Sequence, residues 1–432
     1  MLETLRNAWK IEELRKKILY TIMILMIFRI GSAIPVPFMD AGALAETVKQ
    51  SGSLLGYIDI LTGGAFSRAT IFAMSISPYI TSTIVVQLLT IAIPALEQMA
   101  KEGEAGQKKL GKITRYTTLG LALVQSVAYY LMNRNAYGAV RYTSGIEGWF
   151  AAIVIVSTFS AGSLLIVWLG EQIDKKGIGN GISMILFAGI ISRGPSTIMM
   201  LKQYWDLATA GYTQYYFLVP GIVLLFVVVI ALIVLMTSAE RRIPVQYAKR
   251  VVGRKMYGGQ SSYIPIKVTM SGVMPIIFSS AILSIPGMVK GFIDPNAERT
   301  VGRILGLFDY NKPTYAILYL LLIIGFNYFY VAIQYNPLEM ANNLRKNNGT
   351  IPGIRPGKPT SDFISRVISK ITLVGALFIA GIAIMPIILG GVAKMNIALG
   401  GTSIIIVVNV ALDTVRALES QMMMRHYKGF LE

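Results

Sequence analysis

Gly353, Gly357 and Lys358 stand in the order of a phosphate-cradling loop, within the stretch IPGIRPGKPT at residues 351–360. A P-loop reads G-x-x-x-x-G-K-[ST]. Its backbone N–H groups surround the phosphates, its lysine reaches the terminal phosphates and its hydroxyl holds magnesium. Here three residues separate the glycines instead of four, and Pro359 stands where the hydroxyl belongs. Proline also removes a backbone N–H and stiffens the turn. The stretch therefore lacks the chemistry of a nucleotide site. A second glycine-rich run, GIGNGIS at 177–183, begins an apolar segment rather than following a strand. It reads as a helix start with close helix packing. The chain has no cysteine and one histidine, His426, which is read as a solvated tail residue. There are no paired carboxylates, no Ser/His/Asp set and no metal-ligand spacing, so neither a catalytic step nor a cofactor is expected.

The elements that carry these residues follow from composition. The 432 residues are 54% hydrophobic and 14% charged, against about 25% charged in soluble domains. Apolar runs of about 20 residues recur, each long enough for a hydrocarbon core of roughly 30 Å. A porin-type barrel would show alternating strands of about ten residues instead. The expected fold is an all-α polytopic membrane protein. Its ten spans lie near 18–34, 72–95, 114–133, 149–170, 179–193, 215–237, 268–288, 314–334, 371–389 and 400–413. An even number of spans puts both termini on one side. That side carries 28 of the 40 Lys and Arg residues, and the other carries 11. Positive residues mark the cytoplasmic side, so topology accounts for most of the net charge of +18. Arg29 falls near the outer end of the first span, where it could snorkel to the interface. The charged amphipathic segment 1–17 is expected to lie along the membrane surface.

Two cytoplasmic loops, 238–267 and 335–370, are longer than topology requires. In the first, Ile243, Val245 and Tyr247 alternate with polar residues, as do Ile264, Ile266 and Val268. That pattern reads as a two-stranded basic ribbon. In the second, Asn336 and Pro337 suit a helix start and Gly349 suits its end. Pro352, Pro356 and Pro359 then rule out regular structure before Ser361 and Asp362 cap the next helix. The opening stretch is thus a proline-braced cytoplasmic finger that displays Arg355 and Lys358. Within the apolar runs, Pro78 and Pro275 interrupt spans two and seven, flanked by Ser75, Ser77 and Thr81 and by Ser271, Ser279 and Ser280. They glue helices together or mark a seam that can open. The apolar, glycine-bearing segment 52–70 is either an outer loop or re-entrant. Spans two to ten carry no charge in their central parts, whereas ion-driven transporters often rely on buried carboxylates or histidines.

Seven dispersed motifs now point to one family. FRIGSAIPVPFMD (28–40), GGAFSRATIFAMSISPYITSTIVVQLL (63–89), GIGNGISMILFAGI (177–190), ERRIPVQYAKR (240–250), MSGVMPIIFSSA (270–281), IPGIRPGKPT (351–360) and GGTSIIIVV (400–408) occur in order along nearly the whole chain. The sequence resembles the bacterial SecY family, the protein-conducting channel of the general secretory pathway. The resemblance implies two inverted five-helix halves, 18–193 and 194–413, around an hourglass pore, with a cytoplasmic tail at 414–432. It implies a plug helix at about 53–69 whose recognisable part is Leu61, Thr62, Gly63, Gly64, Phe66, Ser67 and Arg68. It places a pore ring at Ile76, Ile80, Leu186, Ile190, Ile277 and Ile406, with Leu186 replacing the more usual isoleucine. It places a lateral gate between spans two–three and seven–eight, with Ile84, Gln87, Ser279 and Ser280 in its lining. The basic loops become docking sites for a SecA motor or the ribosome, through Arg355, Lys358, Arg241, Arg242, Lys249, Arg250, Arg254 and Lys255. SecE-type and SecG-type small subunits, secretory precursors and membrane lipid complete the implied partners, in a bacterial plasma membrane.

On this reading the chain is no enzyme. It passes unfolded polypeptide and releases apolar segments sideways, driven by its partners. The main alternative is a secondary transporter of a small solute, and a scaffold or insertase without a water path is the other.

Overall fold

The structure, a computed structural model, describes residues 2–40, 42, 44, 59, 62–135, 138–247, 250–252, 255–257, 261–290, 308, 312–393 and 401–428. Its first elements are α1 (Leu2–Lys10), α2 (Glu12–Gly31), α3 (Ser77–Ala92), α4 (Pro94–Lys101), α5 (Glu104–Asn135), α6 (Gly145–Lys176), α7 (Gly181–Ile191), α8 (Gly194–Thr209) and α9 (Tyr215–Ser238). Strands β1 (Glu240–Tyr247), β2 (Arg250–Val252), β3 (Lys255–Tyr257) and β4 (Ser261–Lys267) follow. The chain continues through α10 (Met274–Lys290), α11 (Pro313–Gln334), α12 (Pro337–Lys346), β5 (Gly349–Thr350), α13 (Lys358–Ala393) and α14 (Gly401–Lys428). The ten expected spans fall on α2, α3, α5, α6, α7, α9, α10, α11, α13 and α14.

Prolines decide where the helices start. Pro78 and Pro275 do not interrupt spans two and seven as expected. Each stands in the first turn of its helix, α3 or α10, where a helix has no use for the missing N–H. The residues just ahead, 62–69, 71–76 and 268–273, are turns. Span two is therefore shorter than 72–95. It ends before Pro94, and the chain bends by 102° into α4, as the constraint on a residue preceding proline favours. Among the described residues six helical stretches are long and apolar enough to cross a membrane alone, and the bent pair counted as one span makes a seventh. One of the six is Gly181–Thr209, so the outer loop expected at 193–213 is largely helix. Arg193 stands at the joint between α7 and α8. Several polar residues on α5 are buried and bonded, while Gln125 Oε1 and Asn133 Oδ1 are buried without a partner among the described residues. Thr118 Oγ1 donates to the Thr114 carbonyl at 2.6 Å, and Ser160 Oγ on α6 donates to Ser126 Oγ at 3.0 Å.

Apolar packing separates three membrane cores. One lies within the first half and joins Val36, Phe66, Tyr129, Ile155 and Phe159. A second lies within the last five spans and joins Val229, Ile276, Tyr319, Ile379 and Ile405. The third is shared between the halves, with Ile24, Phe28, Ile166 and Ile185 meeting Ile406 and Val410. GIGNGIS does serve close packing. A Cβ on Gly181 would sit 2.0 Å from the Gly170 carbonyl oxygen of α6. Near the two termini, α1 lies against α14. Thr4 donates to Glu419 at 3.1 Å, and Ala8 and Leu14 pack with Leu418.

The two long loops form one folded unit. The ribbon pairs β1 with β4, Ile243 opposite Ile264, and β2 with β3 beyond it. A third strand was not legible in the sequence: β5, from the other loop, adds to β1 with Gln246 opposite Thr350, giving the order β4-β1-β5. Beneath the sheet, Ile243, Val245 and Ile266 bury against Leu344, Ile351, Ile364 and Ile368. Asn336 caps α12 as expected, its Oδ1 accepting from the Leu338 and Glu339 N–H groups at 3.2 and 3.3 Å. The helix ends differently from expectation. Asn348 takes the left-handed turn, with φ 55°, and Gly349 begins β5. Pro359 also differs, standing in the first turn of α13 rather than in irregular chain ahead of it.

A Cβ on Gly349 would lie 2.9 Å from the Tyr247 ring. Gly349→Val is expected to loosen β5 from β1 by roughly 1–3 kcal/mol through overpacking. Amide hydrogen exchange should quicken at Tyr247 and Thr350 and stay unchanged in the membrane part of α13.

Candidate functional site

The six aliphatic residues expected to form a ring come from four places in the chain. Ile76 precedes α3 and Ile80 lies in its first turns. Leu186 and Ile190 are one turn apart on α7, Ile277 is near the start of α10, and Ile406 is on α14. The fold brings all six into the cluster shared by the halves. Ile76, Ile190 and Ile406 are at most 1% exposed and Leu186 is 7% exposed, while Ile80 and Ile277 are half-buried. Phe28 and Phe72 stack beside them at 5.8 Å. Branched aliphatic side chains offer no directional bond, so such a cluster can part and re-form without stranding a polar group. A narrow apolar constriction also dewets and so excludes hydrated ions.

The segment expected as a plug is described at Asp59 and from Thr62 onward, and Leu61 lies outside the described residues. Residues 62–69 are turns rather than helix. Gly63 and Gly64 hold φ of 66° and 86°, which side chains with a Cβ adopt at a cost. Thr62 Oγ1 accepts from the Phe66 N–H at 3.1 Å. Phe66 is buried against Tyr129, whose hydroxyl donates to the Phe66 carbonyl at 2.9 Å. The Ser67 N–H donates to Asp59 Oδ1 at 2.7 Å, and Arg68 is exposed. Three partners escaped the sequence reading: Asp59, Tyr129 and Arg193. Arg193 pairs with the Asp59 carboxylate. Arg29 is half-buried and faces Gly63, and its Nη1 is buried without a hydrogen-bond partner among the described residues. A lone arginine in an apolar span was the available signal, but its partner lies far along the chain.

At the expected gate, α3 of the first half touches α10 of the second. Ile84 is buried and Gln87 half-exposed. Ser279 and Ser280 turn back on their own helix. Ser279 Oγ donates to the Pro275 carbonyl at 2.7 Å and Ser280 Oγ to the Ile277 carbonyl at 2.9 Å. Their hydroxyls satisfy helix carbonyls rather than the facing helix. A polar contact the sequence did not single out lies behind α10. Ser271 donates to Asn327 Oδ1, and Asn327 Nδ2 donates to the Thr372 carbonyl at 3.3 Å, tying the start of α10 to α11 and α13.

The basic residues of the unit built from the two long loops are exposed where their side chains are described. Arg241, Arg242, Arg355 and Lys358 all face solvent. The Arg355 carbonyl accepts from Thr360 Oγ1 at 2.8 Å, which pins the finger to the start of α13. Arg242 lies over the Tyr263 ring at 4.7 Å and bonds Glu240 at 2.7 Å. That bond, with Tyr263 adding to it, raises the Arg242 pKa above the ordinary arginine value. Arg250 and Lys255 fall on β2 and β3, and Lys249 and Arg254 lie outside the described residues. Arg345 and Lys346 end α12 beside them and enlarge the basic face. Among the described residues no three His, Cys, Asp or Glu side chains gather as a metal site.

Comparison with known proteins gives consistent results. The SecY family model matches residues 70–415. The protein translocase subunit SecY of Streptomyces galbus is 40% identical over 441 residues, covering 100% of both chains. That of Thermotoga maritima is 40% identical over 443 residues, covering 100% of this chain and 98% of the relative. That of Halalkalibacterium halodurans is 41% identical over 439 residues, with 100% of each covered. Among solved structures, a protein-conducting channel superposes with a TM-score of 0.64 at 18% identity, covering 94% of this chain and 92% of that one. Sec61 of the canine ribosome–channel complex gives 0.61 at 17% identity, with 94% and 92% covered. At those identities the likeness concerns the fold alone.

Burial ranks the six aliphatic positions. Ile406→Ala is expected to cost about 2–5 kcal/mol, and the half-buried Ile80→Ala clearly less. Ile406→Asn should cost more than Ile406→Ala, because its amide would stay unpartnered. Thermal unfolding of the solubilised protein checks the order.

Proposed function

The chain belongs to the SecY family, and from that premise we propose that it is the central channel subunit for unfolded secretory polypeptides. The polypeptides pass between the two halves, 18–193 and 194–413, and apolar segments leave sideways between α3 and α10. The observation that carries this reading is the six aliphatic side chains gathered in the one core to which both halves contribute. A path lined in this way gives a passing chain no strong hold and closes around it compliantly. The lateral exit needs no chemical step, because each CH₂ moved into lipid favours release by about 0.8 kcal/mol. The family sets aside the small-solute transporter. The channel catalyses no reaction of its own, and the work comes from partners.

Residues 62–69, with Asp59, act as the plug, and Ile84, Gln87, Ser279 and Ser280 line the gate. The protein is a multi-pass membrane protein. Its Lys and Arg asymmetry places both termini in the cytoplasm of a cell with this channel in its plasma membrane. The basic face built on β1 and the Arg355 finger then meets a SecA-type motor or the ribosome. Arginine suits that role through bidentate pairing with carboxylate or phosphate, and contact with ribosomal RNA would be salt-sensitive. SecE-type and SecG-type subunits cover apolar helix faces in the membrane.

Two measurements test this. Arg355→Glu should cut precursor translocation severely while leaving the protein folded and inserted, and unimpaired translocation would count against docking there. In the cysteine-free chain, Ile80→Cys and Ile277→Cys should each crosslink to a stalled precursor bearing one cysteine. Val228→Cys, on the exposed face of α9, should not. Crosslinks at Val228→Cys alone, or at none of these sites, would remove the ring from the path.

A further inference from the structure

The plug segment is fastened by one buried carboxylate. The Asp59 side chain is 6% exposed and pairs with Arg193 at the α7–α8 joint. Its other oxygen accepts the Ser67 N–H at 2.7 Å. The Asp59 main-chain oxygen accepts from the Gly64 N–H at 2.8 Å, from Thr62 Oγ1 at 3.1 Å and from Arg193 Nη2 at 3.4 Å. One residue thus folds the turn and ties it to the wall. Gly63 and Gly64 bring the backbone close to both cations. A Cβ on Gly63 would lie 3.1 Å from Arg29 Nη1, and one on Gly64 would lie 3.4 Å from Arg193 Nη2. Across the segment, the Phe66 ring lies 4.8 Å from that of Tyr129, which in turn meets Phe159 at 5.0 Å.

These anchors share one location. Arg29 is on α2, Tyr129 on α5, Phe159 on α6 and Arg193 at the α7–α8 joint, all in the first half. The apolar cluster that holds Phe66 also draws on that half alone among the described residues. Parting α3 from α10 would leave every one of these contacts in place. Moving the segment requires the Asp59–Arg193 pair to break, and a buried pair weakens as water raises the local dielectric.

We propose that Asp59 and Arg193 are positioning residues that latch the plug to the first half, so that it stays shut until the pair separates. The inference rests on the reading of this segment as the plug. Among the described residues the charges are unequal, with Arg29 and Arg193 against one buried carboxylate and the exposed Arg68 adding a third cation near Arg29. Losing Asp59 leaves Arg29 and Arg193 facing each other uncompensated, which is the costly way to break a buried pair. Losing Arg193 leaves Asp59 with Arg29 still nearby.

The test is ion conductance of the purified channel with its small subunits in planar bilayers without precursor, alongside precursor translocation with the motor present. Deletion of 57–67 should raise conductance. Asp59→Asn should raise it roughly tenfold or more and Arg193→Gln less. The double variant should be no leakier than Asp59→Asn, since the pair acts as a unit. Asp59→Glu, which keeps the charge, should leak less than Asp59→Asn, and all four variants should still translocate. If the deletion leaks while Asp59→Asn and Arg193→Gln stay as tight as the parent, the latch is wrong and the plug stands. Loss of translocation in both single variants would show residues needed for folding and overturn the latch. A deletion that does not leak overturns the plug reading and the latch with it.

Discussion

The two halves of this protein must meet tightly and still come apart, and that constraint shapes the rest of the structure. Where they meet, at the shared core, the contacts are aliphatic and aromatic side chains. Apolar contact is non-directional and roughly proportional to area. Separation of that core therefore costs mainly surface, and the polar contact beside it is the weak one from Thr414 Oγ1 to Met184 Sδ at 3.4 Å. A hydrogen-bonded seam would behave differently, because each buried group left unpaired costs about 1–3 kcal/mol. At the expected gate, Ser279 and Ser280 turn their hydroxyls onto carbonyls of their own helix.

Directional bonds are placed where movement would be harmful. Within the first half, Ser160 bonds Ser126, and Ser163 bonds the Ser75 carbonyl. Within the second, Asn327 joins Ser271 to Thr372. Outside the membrane cores, a backbone ladder joins the two long loops through β1 and β5. The Arg355 finger and the ribbon bearing Arg241 and Arg242 are therefore one folded unit. The apolar core under that sheet includes Met270, Val331 and Ile368, which lie just ahead of α10, near the end of α11 and within α13. The sheet is thus continuous in packing with the second half of the protein.

Turn chemistry explains how α3 and α10 come to be alike. Each carries a proline in its first turn after a run of turns, and each start lies beside the shared core. Ile76, Ile80 and Ile277 lie at those starts. Leu186, Ile190 and Ile406 instead sit within continuous helix, and all but the half-buried Ile80 and Ile277 are buried. The constriction thus combines fixed side chains from α7 and α14 with side chains at the ends of the two helices of the seam.

By itself the sequence determined the class and where most of the apolar helices fall, because these depend on local quantities. Run length, hydropathy and the placement of Lys and Arg are read one segment at a time. The same holds for the Asn336 cap and for the alternation of Ile243 and Val245, which the sheet buries as expected. Local signals failed where a residue's role depends on a distant partner. Pro78, Pro275 and Pro359 were recognisable as breakers, but whether a proline breaks a helix or starts one depends on where neighbouring packing lets that helix begin. Gly349 looked like a helix end, yet Asn348 took the turn because β1 claimed Gly349 as a strand residue. Arg29 and Arg193 looked like interfacial and loop cations. Arg193 turns inward because Asp59 presents a carboxylate to it, and Asp59 is separated from Arg193 by most of the first half. Only the folded chain brings such charges together, since a buried charge is tolerated where tertiary structure supplies its partner.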